Sequence, residues 1–234
     1  MRRALLYYIT DRASFPGDES SRRRTLLAKV AEAARARVDY IQLREKDLST
    51  RDLESLASAA LSAIREVQLD AELRTEKREP RTALLINSRT DVALATAAEG
   101  VHLPANSVSP AEVRRAWDLS GCRAEKLGPA RAVISVSCHN PAEVREAAID
   151  GADLAGADLA LFAPVFEKKY FPNTSPLGLE ALHQACQHRI PVFALGGVTL
   201  DRAAACLEAG AAGIAGIRLF QDHDIASIAR RVRG

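Results

Sequence analysis

The stretch Tyr40-Ile-Gln-Leu-Arg-Glu-Lys-Asp47 carries three long polar groups at alternate positions, Gln42, Arg44 and Lys46. In an extended strand these share one face, while Ile41 and Leu43 share the other. A strand covered on both sides by helices should read as nearly continuous Val, Ile and Leu, so an inward amide and two cations call for an anionic partner. A half-solvated antiparallel strand with its charges in water is the plainer alternative. A second set is Ser135, Ser137 and His139, which share a parity opposite to Val136 and Cys138 and face one way if their strand runs that far. An imidazole near its neutral pKa is a natural proton carrier. The residues alone leave a plainer role open for His139, a hydrogen bond beside the helix that Asn140-Pro141 would cap. A third set is Gly196-Gly197 and Gly216-Ile217-Arg218, each just before a helical stretch, where backbone amides can approach an anion closely and the helix N-terminus favours it.

These groups must be positioned by the elements around them. Short apolar runs at Ala4–Ile9, Val38–Leu43, Ala83–Ile86, Gly100–Leu103, Ala132–Val136, Asp158–Phe162, Ile190–Leu195 and Ala212–Ile217 read as strands, and helical periods follow each of them. Ser49 or Thr50, Ser109 before Pro110 and Glu112, and Asn140 before Pro141 are the expected helix N-caps. Asp70–Arg81 is dense in charge, lacks apolar periodicity and contains Pro80, and it reads as a solvated loop. Eight βα units in 234 residues fit a closed (β/α)8 barrel, one TIM-barrel domain over residues 1–234, better than an open doubly wound sheet. Chemistry in such barrels sits at the C-terminal ends of the strands. That rule selects Thr10, Asp11, Gln42, Arg44, Lys46, Asn87, Ser88, Pro104–Ser107, Ser137, His139, the loop Pro164–Tyr170 with Lys168, and the glycines and Arg218 after strands seven and eight. His102, between Val101 and Leu103, is expected to be structural, and the remaining histidines fall on helices or their ends.

Composition narrows the partners. The net charge is +2, with acids and bases dispersed along the chain, so neither nucleic acid nor a membrane surface is expected and the ligand should be small. The four cysteines show no C-x-x-C pair and no His at ligand spacing, which suggests reduced thiols in a cytoplasm. The apolar run at the start is too short for a signal h-region or a membrane span. A homo-oligomer is compatible with the sequence, which does not specify one. The polar segment Glu167–Pro176 is a candidate lid over the site.

Gln42-Leu-Arg-Glu-Lys46, Leu85-Ile-Asn87 with Arg89 and Asp91-Val-Ala93, Gly100-Val-His-Leu103, Ser137-Cys-His139, Pro164-Val-Phe166, Ala194-Leu-Gly-Gly197 and the Gly213–Ile217 strand together resemble the thiamine phosphate synthase/TenI superfamily. The resemblance runs in order along nearly the whole chain. It implies a (β/α)8 barrel acting on thiazole phosphate in thiamine biosynthesis, with His139 as the catalytic group. Within that superfamily, synthases couple a hydroxymethylpyrimidine pyrophosphate to a thiazole phosphate with Mg²⁺ held by two Asp residues. Here those positions are occupied by Ser88 and Ser107, and neutral hydroxyls cannot replace the charge. The Thr-x-Thr-Lys of synthases after strand six is also absent, with Glu167-Lys168-Lys169-Tyr170 in that region. The resemblance therefore leans to the TenI-like thiazole tautomerases, which need no cofactor. On that reading His139 is the acid/base, and Gln42, Arg44, Lys46, Asn87, Ser137 and Lys168 contact substrate. Gly196, Gly197, Gly216, Ile217 and Arg218 would hold its phosphate. Gln42, Arg44 and Lys46 are the synthase form of their strand, so a synthase using Mg²⁺ is the alternative, and a non-catalytic phosphate-binding relative is the third.

Overall fold

The first strand, β1 (Leu5–Ile9), pairs in parallel with both β2 (Tyr40–Leu43) and β8 (Gly213–Gly216), which closes the sheet on itself. Between them β3 (Ala83–Asn87), β4 (Gly100–Leu103), β5 (Val133–Cys138), β6 (Leu159–Phe162) and β7 (Val192–Ala194) follow in sequence order around a closed barrel. The computed structural model describes residues 3–75, 81–120, 131–148, 156–167 and 175–234. Helices α1 (Glu19–Arg35), α2 (Thr50–Thr75), α3 (Thr90–Thr96), α4 (Pro110–Leu119), α5 (Pro141–Ala148), α6 (Gly178–Ala185) and α7 (Leu200–Glu208) each return the chain to the next strand. A short α8 (Arg218–Gln221) and a closing α9 (Ile225–Arg233) follow β8. The expected (β/α)8 barrel is thus the observed fold.

Alternation along each strand divides the apolar side chains into two cores. Leu6, Tyr8, Ile41, Leu43, Leu84, Ile86, Val101, Leu103, Ile134 and Val136 face the helices in the larger cluster. Tyr7, Ile9, Leu85, Leu159, Leu161, Phe193 and Ala215 fill the barrel itself. Tyr7, Tyr40 and Phe193 form an aromatic layer there: Tyr7 and Tyr40 each meet Phe193 edge-on, at 5.5 and 5.8 Å between centroids, and lie 5.7 Å from each other. Edge-to-face pairs contribute about 0.5–1.5 kcal/mol beyond their burial, so this layer is a firm floor beneath Gln42. Gly100 lets β4 join the same interior. A Cβ at this position would lie 1.9 Å from the carbonyl oxygen of Val133, so any side chain would force β4 and β5 apart.

The helix starts follow the sequence. Ser109 and Glu112 form a reciprocal capping box with Pro110 opening α4, the Ser49 hydroxyl accepts from Asp52 N–H, and Asn140 Oδ1 accepts from Glu143 N–H at 2.9 Å. Two expectations are corrected. The stretch Asp70–Arg81 does not begin as a loop, because α2 runs on to Thr75. Its Ala, Glu, Leu and Arg residues are strong helix formers, which extend a helix without an apolar period, and the Glu72–Arg81 ion pair at 2.6 Å ties the helix end back to the chain entering β3. The expected strand, Val38–Leu43, does not run on to carry Arg44 and Lys46 on the inward face with Gln42. It ends at Leu43, and residues 44–47 turn into a loop in which Leu48 N–H reaches the Glu45 carbonyl.

That turn is fixed by a buried charge cluster. Glu45 is 5% exposed and takes a hydrogen bond from Thr10 Oγ1 at 2.6 Å, two from the Arg12 backbone N–H and one from Arg12 Nη1 at 3.1 Å. Arg12, 4% exposed, also grips Asp47 through both Nη atoms at 2.7 and 2.8 Å and Glu19 through Nε at 2.9 Å. Burial pushes the Glu45 carboxyl above its usual range, while the bonds from Thr10 and Arg12 pull it back. Thr10 Oγ1 accepts in turn from Arg44 N–H at 3.0 Å. The loops after β1 and β2 are locked together by this arrangement.

Candidate active site

All eight strands run the same way, so their C-terminal ends share one rim of the barrel. Gln42 is the last inward residue of β2. Its Nε2 donates to Asn87 Oδ1 at 2.8 Å, and Asn87 Nδ2 donates to Ser88 Oγ at 2.9 Å. Arg44 is half-buried and Lys46 exposed in the loop beyond, at the same rim but outside the strand. The structure therefore brings Gln42 and Asn87 into contact and leaves the two cations on a turn above them.

Strand β5 continues to Cys138, two residues past the expected end, and keeps Ser135 and Ser137 on its inward face. Both meet His102. The His102 Nδ1 lies 2.9 Å from Ser135 Oγ and Nε2 lies 3.0 Å from Ser137 Oγ. Tyr7, from β1, donates its phenolic O–H to Gln42 Oε1 at 3.1 Å and lies 3.3 Å from Ser135 Oγ. Asn87, Gln42, Tyr7, Ser135, His102 and Ser137 thus form one continuous polar chain through the barrel. Tyr7 is not among the residues selected from the sequence, and His102, expected to be structural, is buried at 4% exposed and links Ser135 to Ser137. The available signal was parity: Tyr7 shares the face of Leu5 and Ile9, and His102 that of the inward Gly100.

Burial and the nearby Arg44 cation push His102 down to about 3, so its imidazole is neutral at physiological pH. In histidine NMR titrations His102 should show no protonation between pH 5 and 9. The sign for stability follows: protonation is disfavoured only in the folded state, so His102's contribution is intact above about pH 6.5 and is lost as pH falls through about 6.5 towards 3.

His139 sits just beyond β5 and is exposed. Its backbone N–H donates to Glu143 Oε2 at 2.6 Å, and its Nδ1 lies 2.8 Å from the carbonyl oxygen of Ala163. A carbonyl can only accept, so Nδ1 carries the proton and, in the neutral ring, Nε2 presents its lone pair. Asn140 and Glu143 hold the start of α5 by their own reciprocal bonds. The helix cap is therefore complete without the imidazole. The plainer role for His139, hydrogen bonding beside the helix start, accounts only for its backbone N–H.

After β7, Gly196 and Gly197 adopt φ of +87° and +66° in succession. Gly196 O accepts from Phe166 N–H at 3.0 Å, and a Cβ on Gly197 would lie 2.4 Å from the Glu167 carbonyl oxygen and 2.8 Å from Phe166 Cβ. The loops after β6 and β7 are pressed together at this point. Arg202 clamps them from outside, donating to Gly197 O at 3.0 Å with its guanidinium 4.8 Å over the Phe166 ring. Gly197→Ala combines αL strain with a backbone clash and should cost about 1–3 kcal/mol, readable as a lowered urea midpoint. Gly216 closes β8, and Ile217 and Arg218 lead into α8. Lys168 lies outside the described residues, as do most of the segment Glu167–Pro176 and Cys122. Cys138, Cys186 and Cys206 are free thiols.

Ser88 and Ser107 stand where the resemblance puts metal-binding carboxylates. Both are exposed; Ser88 Oγ already accepts from Asn87, and Ser107 N–H closes a turn onto Pro104 O at 3.3 Å. Two neutral hydroxyls do not form the hard, anionic donor set that Mg²⁺ needs. Among the described residues, no group of three or more His, Cys, Asp and Glu side chains could hold a metal ion.

The family model described as thiamine monophosphate synthase, TMP-TENI, matches residues 6–220. The chain belongs to this family. It is 33% identical over 216 residues to the putative thiamine-phosphate synthase 2 of Aquifex aeolicus, covering 92% of this chain and 96% of that protein. It is 38% identical to the putative thiamine-phosphate synthase of Geobacter sulfurreducens, over 90% of this chain and 83% of the relative. A thiamine phosphate pyrophosphorylase structure from Pyrococcus furiosus superposes with a TM-score of 0.71 at 25% identity, covering 98% of this chain and 93% of that one. Membership in the TMP-TENI family ties the chain to thiamine biosynthesis. Among its described residues, no helix is long and apolar enough to cross a membrane.

Proposed function

We propose that this member of the family is a thiazole tautomerase, which moves a proton on a non-aromatic thiazole carboxylate phosphate to give the aromatic isomer. The observation that carries the reading is the tautomer of His139: Nδ1–H is tied to the Ala163 carbonyl, so Nε2 is the base at the barrel rim. A base in this state takes a proton from one ring position, carries it as the imidazolium, and returns it to another. The Ala163 carbonyl accepts from Nδ1–H in both states, so the ring need not turn between the two transfers.

The remaining roles follow from place and charge. The backbone around Gly196, Gly197, Gly216 and Ile217 would hold the phosphate, with Arg218 adding a charge-assisted contact. Arg44 and Lys46 would balance the carboxylate, and Gln42, Asn87 and Ser137 would orient the ring. Lys168 is proposed for the same ligand from its sequence position. No metal or other cofactor enters this scheme, and the reaction is placed in the cytoplasm.

The alternative is a thiamine phosphate synthase. It is favoured by the names of the relatives and by the set Gln42, Arg44 and Lys46, which the resemblance gives as the synthase form of that strand. The donor chemistry of Ser88 and Ser107 speaks against it. Purified protein given hydroxymethylpyrimidine pyrophosphate and thiazole phosphate should release no pyrophosphate with Mg²⁺, and should isomerise the non-aromatic substrate equally well in EDTA. Metal-dependent pyrophosphate release would establish the synthase reading instead.

A further inference from the structure

The polar chain inside the barrel has a direction, and that direction can be read from its amide end. Gln42 Nε2 donates to Asn87 Oδ1, so the Gln42 carbonyl oxygen faces Tyr7 and can only accept. With the single proton of the Tyr7 hydroxyl committed there, the Tyr7 oxygen can share the 3.3 Å contact with Ser135 Oγ as a hydrogen bond only by accepting from Ser135 O–H. Ser135 Oγ then accepts from His102 Nδ1–H. His102 Nε2 is left with its lone pair and accepts from Ser137 O–H. A protonated His102 would break this sequence, since both ring nitrogens would donate; burial among Tyr7, Ser135 and the barrel floor keeps the ring neutral. All four groups from Gln42 to His102 are at most 4% exposed, so water does not compete for their protons.

We infer that His102 is a positioning residue whose tautomer, set from strand β1 by Tyr7, commits the Ser137 proton inward and leaves the Ser137 oxygen facing the pocket as a hydrogen-bond acceptor. The functional consequence rests on the reading above that Ser137 contacts substrate. The ligand group that meets Ser137 must bring its own proton, an N–H, an O–H or a protonated ring atom, and cannot be a fully ionised phosphate or carboxylate oxygen. Recognition at this point is thereby decided five groups away, at Asn87.

The test is long-range proton–nitrogen NMR of the ligand-free, ¹⁵N-histidine-labelled full chain. Wild type should show His102 with Nδ1 protonated. Tyr7→Phe keeps the ring and deletes the acceptor, so the Ser135 proton is released to point at His102 Nδ1 and the ring should switch to the Nε2–H form. Ser135→Ala removes the Nδ1 partner by a different route and should give the same switch. His139 stays Nδ1–H in all three proteins and serves as the internal reference for folding. Loss of packing alone would broaden signals but would not exchange the protonated nitrogen. The inference is overturned if His102 is Nε2–H in wild type, or if it keeps Nδ1–H in both variants. In the isomerisation assay the Tyr7→Phe enzyme should lose about five- to tenfold in kcat/KM, the effect of one misdirected hydrogen bond. The spectra need no substrate, so a protein inactive as a tautomerase can still pass or fail this test by itself.

Discussion

His139→Ala is expected to lower kcat for the thiazole isomerisation by about 10²–10⁴, or about 3–5 kcal/mol of barrier, the usual contribution of one positioned acid/base. The fold should survive this change. The imidazole is exposed, and its contact with the Ala163 carbonyl is the single side-chain hydrogen bond at stake, since Asn140 and Glu143 cap α5 by themselves. His139→Asn sharpens the result. Its amide N–H can still reach the Ala163 carbonyl, so loops and stability are retained, but it offers no group that takes and returns a proton at neutral pH. Both variants should therefore bind a thiazole phosphate about as tightly as wild type while failing to turn it over, measured by calorimetry alongside the kinetic assay. Turnover by His139→Ala within a fewfold of wild type would remove His139 from the chemistry.

Arg12→Ala is expected to cost about 3–5 kcal/mol of folding stability, the largest such effect among the residues described, because it strands a charge rather than removing a pair. Glu45 is 5% exposed, and Arg12 supplies its counter-ion at 3.1 Å while also holding Asp47 and Glu19. The Arg12 backbone N–H and the Thr10 hydroxyl remain as hydrogen bonds to Glu45, but neither neutralises it. The check is chemical denaturation of three proteins. Arg12→Ala alone should lose most. Pairing it with Glu45→Gln should recover part of the loss, because the buried carboxylate is then gone. Equal losses in the single and double variants would show that packing, not the stranded charge, sets the cost. The same cluster holds the turn that carries Arg44 and Lys46, so the single variant should also weaken ligand binding at temperatures where it is still folded.

The sequence by itself determined the repeated βα units, and with them the closed parallel barrel, because alternating apolar runs and helical periods are local patterns that each segment displays alone. It also determined the helix starts at Ser49, Ser109 and Asn140, where capping needs only residues three apart. It placed Gln42, Asn87, Ser137 and His139 at strand ends, since in a parallel barrel a position along the strand is a position relative to the rim. Other features depended on partners distant in the chain. Residues 44–47 leave the strand because Arg12 and Thr10, more than thirty positions earlier, claim Glu45 and the Arg44 amide. Helix α2 outruns its apolar period because backbone propensity sustains the last turns and Arg81 holds Glu72. The polar chain from Asn87 to Ser137 was invisible for the same reason. Tyr7 and His102 look like core residues in their own strands, and only closure of the barrel brings β1, β2, β4 and β5 within hydrogen-bonding distance around one axis. The proton-bearing nitrogen of His139 was likewise a tertiary outcome: it is fixed by a carbonyl 24 residues away, at the end of the neighbouring strand β6.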